Sequence, residues 1–470
     1  MKKIWIFIAF LLLPAMQAAA SEPCRDDVFL RRAYLTVTGA LPSQPDCKKF
    51  LDGTSPNKRE ELIDSLLESD LAIKYTQMRW GDILRIKSEF PSNLWPNGVQ
   101  AYNRWVYDQL LRNVPYNQMV RNLLLSEGSN FRSPAVNFYR GFQRRTSKNF
   151  YANVNLLFLG NRNCTDNGHL CFSQVKFKST KEWKEEIIYL DFHKDAPWEQ
   201  ITLSDGTTFE LIKDSDWREA YVDWLTSSQN RRFAEVMVNR MWYWVFGKGI
   251  VNEPDDWRED NLPSDPELLK NLTDYFIQNN YDMRALMKKI LMSDKFNFKA
   301  APEGEYEPQR LPAEVIIDAI SSVINSWTTY TSRVPEPFTY YPPATRATHL
   351  GDATVSSTEL ELFGKVSRDV SLESQRNNSI TSRQLLYLMN SSELEKRIRK
   401  SPTLKWMSEN MKSVPQIVNV ITMRVLSRRA TPNEIAMFRE HQKQNKLSNS
   451  ELIYDIVWTQ INSNEFLYNH

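Results

Sequence analysis

Residues 233–249 read FAEVMVNRMWYWVFGKG, and the spacing of their apolar side chains sets the fold class of this chain. Apolar residues recur there at the three- and four-residue spacing that forms one wide face of an α-helix. The members of that face are Phe233, Val236, Met237, Met241, Trp244 and Val245. The sequence Gly247-Lys248-Gly249 then ends the pattern, as glycine does at helix C-termini. The stretch therefore predicts a long amphipathic helix that packs into a core.

Helical patterns lie on both sides of this stretch, and two of them begin with clear capping signals. Ser264-Asp265-Pro266-Glu267 has the order of a capping box, with Ser264 as the N-cap residue. Thr431 starts another helix in the same way. Further apolar repeats of helical spacing occupy residues 62–67, 102–110, 116–125, 268–276, 382–389 and 414–426. We therefore predict a mainly α protein.

Residues 161–216 break the helical pattern. Asp205-Gly206 lies between two short β-prone runs within residues 201–212, which predicts a β-hairpin with a type I′ turn. We interpret 161–216 as a linker that carries this hairpin and a cysteine-rich loop. The predicted organisation is a signal peptide at 1–20, an N-terminal helical domain at 21–160, the linker, and a C-terminal helical domain at 217–470.

The first twenty residues have the three parts of a cleavable signal peptide. Lys2 and Lys3 form the charged start, residues 4–13 are an apolar run too short to cross a bilayer, and small alanines precede the expected cut after Ala20. No later run approaches 18 apolar residues, so we expect no transmembrane segment after cleavage. The predicted location is periplasmic or secreted.

The charge balance argues against nucleic acid as a partner. The chain has 59 Lys and Arg residues against 57 Asp and Glu residues, a net charge of +2. Loss of Lys2 and Lys3 with the signal peptide removes that excess. Proteins that bind nucleic acid usually carry a marked basic excess, which is absent here.

The four cysteines favour disulfides, because an even count in an exported protein is typical of paired thiols. They are Cys24, Cys47, Cys164 and Cys171. Of the three connectivities, we favour Cys24–Cys47 with Cys164–Cys171, since these pairs close short loops. Spacing alone leaves all three open.

The chain resembles bacterial exported proteins that carry two planctomycete cytochrome-C-associated domains of uncharacterised function. The N-terminal similarity consists of the blocks RRAYLTVTGALP at 31–42, LIDSLL at 62–67, NRWV at 103–106 and FLG at 158–160. The C-terminal similarity consists of VNRMW at 238–242, FGKG at 246–249, PSDPELL at 263–269, RLPAE at 310–314 and FG at 363–364. The resemblance implies two domains of unknown activity that act alongside other exported proteins.

Two cysteine motifs of these relatives are altered here. The Cys-x-x-Cys-His stretch that typically follows the FLG block reads CTDNGHLC at 164–171, and the Cys-x-Cys-Glu-Arg stretch of the second domain reads LESQR at 372–376. Covalent haem attachment needs two thiols separated by two residues and an adjacent histidine. That spacing is missing, so we expect no cofactor.

A metal site at Cys164, Asp166, His169 and Cys171 is the alternative, since thiolate, carboxylate and imidazole groups there come from one loop. We favour the disulfide, because oxidation removes the thiolates that a metal would need.

Arg240, Asp255 and Asp256 form a second candidate site. Adjacent carboxylates can hold calcium or act as an acid–base pair if both face a pocket. A buried ion-pair network in which Arg240 anchors the Asp-Asp turn is the structural alternative, and we favour it. Tyr340 and Tyr341, in a loop rich in proline and threonine at 328–357, are candidates for stacking on sugar rings.

No nucleophile elbow, phosphate-binding glycine loop or His-Glu-x-x-His helix is present, so no catalytic motif identifies an enzyme. The favoured hypothesis is an exported non-redox binding or assembly protein linked to polysaccharide or the cell envelope. Its expected partners are glycans or other exported proteins. One alternative is a periplasmic metal or redox protein that uses the loop from Cys164 to Cys171. A weaker one is a carbohydrate-active enzyme that uses Asp255 and Asp256.

Overall fold

The computed structural model describes residues 22–162, 164–182, 184–192, 200–299, 306–332 and 341–470. It is 57% helical and 6% strand, which confirms the predicted mainly α class. The predicted signal peptide and Tyr340 lie outside the described residues. Within the described ranges, no helix combines the length and the apolarity that crossing a bilayer requires.

The α-helices before the predicted linker are α1 Asp26–Thr38, α2 Gln44–Asp52, α3 Lys58–Leu67, α4 Asp70–Ile83, α5 Trp95–Leu111, α6 Tyr116–Leu124, α7 Asn137–Arg140 and α8 Ser147–Leu159. Those after it are α9 Trp217–Thr226, α10 Arg231–Phe246, α11 Pro266–Gln278, α12 Met283–Leu291, α13 Asp294–Asn297, α14 Ala313–Ile324, α15 Thr358–Leu362, α16 Ser382–Asn390, α17 Ser392–Arg399, α18 Pro402–Asn410, α19 Val414–Leu426, α20 Pro432–Asn445, α21 Asn449–Ile461 and α22 Asn464–Leu467. Short 3₁₀ helices lie at Pro134–Val136, Asn167–Phe172, Ala347–His349 and Glu373–Gln375.

In the described part of the chain, the strands form three small antiparallel sheets. They are β1 Gly128–Ser129, β2 Val175–Ser179, β3 Glu186–Leu190, β4 Gln200–Thr202, β5 Thr208–Glu210, β6 Gln309–Arg310 and β7 Tyr468–Asn469. The order in the first sheet is β1-β3-β2, while β4 pairs with β5 and β6 pairs with β7. The last pair joins the segment before α14 to the C-terminus of the chain.

The predicted hairpin is confirmed, but its turn differs from the prediction. Ile201 pairs with Phe209, and both side chains are buried. Five residues connect the strands, and within that loop only Gly206 has a positive φ, at 87°. A type I′ turn needs two such residues in succession, so it does not form. Instead the Asp205 carboxylate accepts a hydrogen bond of 2.9 Å from the Thr207 amide.

Two apolar cores are present, and they share helices α1 and α4. The first core contains side chains of residues 24–306 together with Met423, and the second contains mainly side chains of residues 311–467. Leu30 of α1 belongs to the first core, whereas Leu35 of α1 and Tyr75 of α4 belong to the second. The first core thus runs through the predicted linker and past residue 217. The predicted domain limits stay a prediction.

Two buried arginines of α1 attach it to the C-terminal part of the chain. The Arg31 guanidinium donates to the carbonyls of Val425 and Phe466, at 3.1 and 2.9 Å. Arg32 donates to the carbonyls of Phe296 and His470. The block RRAYLTVTGALP therefore has a structural role, because the hydrogen bonds of its two arginines hold α1 against both cores.

Helix α10 lies at the centre of the first core and packs against α8, α11 and α12. The predicted apolar face is buried, and so are the polar residues Asn239 and Arg240. The Asn239 side chain both donates to and accepts from the backbone of Val251, at 2.9 Å each. The helix is thus buried on nearly all sides, which a one-sided amphipathic pattern does not predict.

The N-cap of α11 is Asp265 rather than the predicted Ser264. The Asp265 carboxylate accepts a hydrogen bond of 2.9 Å from the Leu268 amide. The Ser264 hydroxyl instead donates to the Ile250 carbonyl, also at 2.9 Å. Since both residue types cap helices well, the local pattern does not distinguish them.

Asp265→Ala should lower the free energy of unfolding by about 1 kcal/mol, because the amide of Leu268 loses its capping acceptor. Urea unfolding followed by circular dichroism measures this change. Glu267→Gln is the control and should cost less than about 0.5 kcal/mol, since Glu267 is exposed and at most interacts with the helix dipole. Equal losses in both variants would show that Asp265 is not the cap.

Candidate functional site

A polar cleft of about 600 Å³ lies where the two cores meet. Helices α1 and α4, the C-terminal end of α10, the segment around β6, and residues 374–379 line it. These segments are far apart in sequence and are brought together by the packing of α1 and α4 between the cores. The volume is in the range of protein sites for small molecules.

Arg310 is a buried cation in this cleft. Its guanidinium donates to the carbonyls of Asn378, Phe363 and Asn377, at 2.6, 2.9 and 3.1 Å. Its Nη1 atom has no hydrogen-bond partner among the described residues. Burial lowers the pKa of Arg310 to about 10, so the side chain stays charged at neutral pH. A positive charge therefore lies in the wall of the cleft.

Arg79 and Lys248 add two more cations to the lining. The Arg79 Nη2 atom donates to the Tyr75 hydroxyl at 3.0 Å. Over the described ranges, neither Arg79 nor Lys248 has a carboxylate oxygen within 4.0 Å. Lys248 is exposed at the end of α10, directly after Gly247. Both side chains are therefore available to an anionic ligand.

Arg376 also lines the cleft, but its charge is balanced from behind. It binds Glu314 and Asp82 at 2.7 Å each, and Arg368 binds the same Asp82 at 2.9 Å. Burial by itself raises the pKa values of Asp82 and Glu314, but the guanidiniums outweigh it and hold both below their ordinary values. The four buried side chains form one ion-pair network that supports residues 374–379.

A second buried network lies behind the Trp244 wall of the cleft. The Trp244 Nε1 atom donates to a Glu373 carboxyl oxygen at 2.8 Å, and Arg240 Nε is 3.5 Å from the same oxygen. Arg240 also binds Asp255 at 3.2 Å, and Asp255 accepts a hydrogen bond of 2.6 Å from the Glu373 amide. Burial, together with the Asp255 carboxylate, raises the pKa of Glu373 to about 7 although Arg240 opposes that rise.

Amide groups complete the polar lining. Asn252, Gln309, Asn377, Asn378 and Asn469 all line the cleft. The Asn469 amide donates to the Thr36 hydroxyl at 3.0 Å, whereas its oxygen lacks a partner within the described chain. The side-chain oxygen of Asn378 also lacks one. Both side chains thus have an acceptor that no donor of the described chain satisfies.

The structure places the predicted Asp-Asp site partly inside the protein. Asp255 is buried against Arg240, whereas the Asp256 carboxylate turns to Arg258 at 3.1 Å on the surface. The two carboxylates thus face different partners, and the geometry gives no support to an acid–base pair. Tyr341 is half-buried against the second core and does not line the cleft.

The loop of Cys164, Asp166, His169 and Cys171 is built around Asp166. One carboxylate oxygen of Asp166 accepts from the Tyr151 hydroxyl at 2.6 Å, and the other accepts from the Ser204 hydroxyl at 2.7 Å. Across the described residues, no three His, Cys, Asp or Glu side chains gather in a way that would hold a metal. The Cys171 side chain is fully buried, whereas Cys164 is half-buried.

The two disulfides that the sequence predicts are not formed in the structure, where all four cysteines are free thiols and no pair lies at disulfide distance. The Cys24 sulfur is 3.8 Å from an Arg59 nitrogen, and the Cys47 sulfur is 3.7 Å from the Met423 carbonyl. Burial raises the pKa of Cys171 and Cys47 to about 12, which keeps both thiols protonated.

Sequence reasoning missed most of the charged residues at the cleft. Arg79, Lys248, Arg310, Glu373 and Arg376 were not assigned to a site. A signal for four of them was available, because Lys248 lies in the FGKG block, Arg310 in RLPAE, and Glu373 and Arg376 in LESQR. Two blocks of the family resemblance, FGKG and RLPAE, and the altered LESQR segment thus meet at one cleft. Arg79 lies outside those blocks, so only the fold reveals it.

Comparison with known protein families gives two matches along this chain. Residues 11–163 match the family PSCyt2, a protein of unknown function (DUF1549), and residues 217–442 match the family PSD1, a protein of unknown function (DUF1553). No curated protein and no solved structure matches the chain. The order of the two matches, the first N-terminal and the second C-terminal, is that of the resemblance described above. This chain belongs to the family of proteins that carry the paired planctomycete cytochrome-C-associated domains, DUF1549 followed by DUF1553.

Proposed function

We propose that this protein is a non-redox binding protein that holds an anionic saccharide in the polar cleft. The observation that carries the proposal is the set of cations without carboxylate partners in the lining. Arg79, Lys248 and Arg310 all line the cleft, and within the described chain none of them forms an ion pair. A ligand with carboxylate or sulfate groups would supply the missing counter-charges.

The balance of charge in the lining favours an anion. Among the described residues, Glu253 and Glu307 are the acidic members of the lining, and Arg376 is neutralised by Glu314 and Asp82 behind it. Arg79, Lys248 and Arg310 are three cations without an ion pair against these two carboxylates, and Glu373 behind the Trp244 wall offsets part of the Arg79 charge. The overall charge of only +2 does not favour a polymer as highly charged as nucleic acid.

The remaining lining favours a ligand rich in hydroxyl groups. Each amide side chain offers both a donor and an acceptor, which suits the paired hydroxyls of a sugar. Tyr75, Tyr243 and Trp244 add aromatic surface to the same lining, and such rings pack against the apolar face of a sugar. Cations, amides and aromatic rings together are the chemistry that recognises an acidic saccharide.

The sequence supports a location for this activity. Residues 1–20 have the pattern of a signal peptide, so we propose that the protein works in the periplasm or outside the cell. Polysaccharides of the cell envelope are then the proposed source of the ligand, and other exported proteins the proposed partners. Binding of this kind needs no cofactor.

The test is titration calorimetry with short oligomers of mannuronate, with a sulfated galactan oligomer, and with a neutral manno-oligomer of equal length. We expect at least one acidic oligomer to bind, the neutral oligomer to bind much more weakly, and added salt to weaken the acidic complex. Binding of the neutral oligomer with equal affinity, or binding of none, would contradict the proposal.

Lys248→Gln should weaken binding of the acidic oligomer by roughly three- to tenfold, because one charge-assisted contact at an exposed position is lost. The same titration measures the change, and the salt dependence of the variant should be shallower. Thermal unfolding of the variant should match that of the unmodified protein, since Lys248 is exposed.

Lys443→Gln is the matched control, since Lys443 is exposed on α20 and does not line the cleft. Its affinity for the oligomer should equal that of the unmodified protein. Equal losses in both variants would mean that the oligomer responds to overall charge and not to the cleft.

A further inference from the structure

A small cavity of about 60 Å³ adjoins the polar cleft and differs from it in chemistry. Most of its lining is apolar and comes from α1, α4, α10 and α12, with Val37, Ala72, Met241, Met283 and Met287 among the members. Methionine side chains adapt well to the shape of a bound apolar group. The cavity belongs to none of the sites that the sequence predicts.

The cavity and the cleft share part of their walls. Thr36, Tyr75, Arg79 and Trp244 line both. Of these, Arg79 and Tyr75 are joined by the hydrogen bond of 3.0 Å from Arg79 Nη2 to the Tyr75 hydroxyl. A ligand group at this shared wall therefore lies beside a guanidinium and a phenol hydroxyl, both able to donate hydrogen bonds.

The size of the cavity restricts what can enter. An apolar cavity of about 150 Å³ holds a benzene ring. A cavity of about 60 Å³ is too small for a ring or an acyl chain, but it has room for a group of a few heavy atoms. Its largely apolar lining offers water few hydrogen-bond partners, which favours an apolar occupant.

We infer that this cavity is a subsite for an acetyl substituent on the anionic saccharide, an inference that rests on the proposed function of the cleft. The acetyl methyl group fills the apolar space between α4 and α12. The acetyl carbonyl oxygen accepts a hydrogen bond from Arg79 or Tyr75 at the shared wall. An acetyl group thus supplies both a methyl group for the apolar space and a hydrogen-bond acceptor for the shared wall. A free hydroxyl group would leave the apolar space unfilled.

The test compares mannuronate oligomers of one length with and without O-acetyl groups, each titrated into the full chain. Burial of the two acetyl carbons should make the acetylated oligomer bind roughly tenfold more tightly. Ala72→Val, which fills the cavity from α4, should abolish that preference and leave affinity for the plain oligomer unchanged. Val37→Ile fills the cavity from α1 by one methyl group and should reduce the preference if Ala72→Val does not fold.

Ala152→Val is the matched control, because Ala152 is exposed on α8 and lies outside both cavities. It should keep the full preference. Equal binding of the two oligomers by the unmodified protein would overturn the acetyl subsite and leave the cleft proposal intact. A preference that persists in the folded cavity-filling variants would also overturn it. If neither mannuronate oligomer binds and no other acidic oligomer binds either, both the cleft proposal and the acetyl subsite are overturned.

Discussion

Arg376→Met should lower the free energy of unfolding by roughly 3–5 kcal/mol, the largest effect that we expect from a single substitution in this chain. Arg376 is the shared partner of Glu314 and Asp82, and the side chains of Arg376 and Glu314 are each only 3% exposed. Methionine fills much of the same volume but leaves Glu314 buried without a counter-charge. Urea unfolding at pH 7 measures the loss.

The loss should shrink as the pH falls. In the unmodified protein the pKa values of Asp82 and Glu314 are below their ordinary values of 3.8 and 4.5. Their contribution is therefore present above those values and is lost as the pH falls through the lower native ones. In the variant, Glu314 without its guanidinium is subject to burial alone, which raises its pKa. Protonation of Glu314 then removes the buried charge from the variant. The free energies of unfolding of the two proteins should therefore become more similar as the pH falls from 7 to 4.

Arg383→Met is the control for this prediction. Arg383 is exposed on α16, and within the described residues it forms no ion pair. The same substitution there should change the free energy of unfolding by less than about 0.5 kcal/mol. A loss of that small size at Arg376 would show that the buried network is not stabilising, and that Glu314 is already protonated in the native state.

The helical architecture was predictable because helix signals are local. The apolar spacing of residues 233–245 and the Thr431 start both lie within a few turns of chain, and both correspond to observed helices. The pairing of β2 with β3 was not predicted. In β2, Lys176 and Lys178 alternate with Val175 and Phe177. This alternation of charged and apolar residues is too short to identify a strand by itself. Strand pairing depends on a partner elsewhere in the chain, which a local pattern does not contain.

The cleft was much less predictable than the helices. Asp82 and Arg376 are 294 residues apart, and each looks like an ordinary surface charge when its own neighbourhood is considered. The contact exists only because α4 lies between the two cores. The blocks RLPAE and LESQR were visible in the sequence, but the bond between Glu314 and Arg376 that links them was not. The predicted Asp255–Asp256 site failed as a pair for a local reason, since neighbouring loop side chains tend to point apart.

Glu373→Gln should make the stability of the protein less dependent on pH between about 4.5 and 7. The pKa of Glu373 is 4.5 in its ordinary state and is raised to about 7 in the folded chain, mainly by burial. Across that window the native state binds more protons than the unfolded state, so stability falls as the pH rises. Glutamine does not titrate, and its side-chain oxygen still accepts the hydrogen bond from Trp244.

The free energy of unfolding of Glu373→Gln, minus that of the unmodified protein, should therefore increase by roughly 2–3 kcal/mol from pH 5 to pH 8. Urea unfolding at both pH values measures this difference. Glu409→Gln makes the same substitution at an exposed position of α18 and should show no such increase. Asp255→Asn should flatten the dependence in part, because the Asp255 carboxylate helps to raise the pKa of Glu373. Parallel pH profiles for Glu373→Gln and the unmodified protein would mean that Arg240 holds Glu373 ionised throughout. Arg240 would then be shared equally by Glu373 and Asp255, and the wall behind Trp244 would be a fully ionised network.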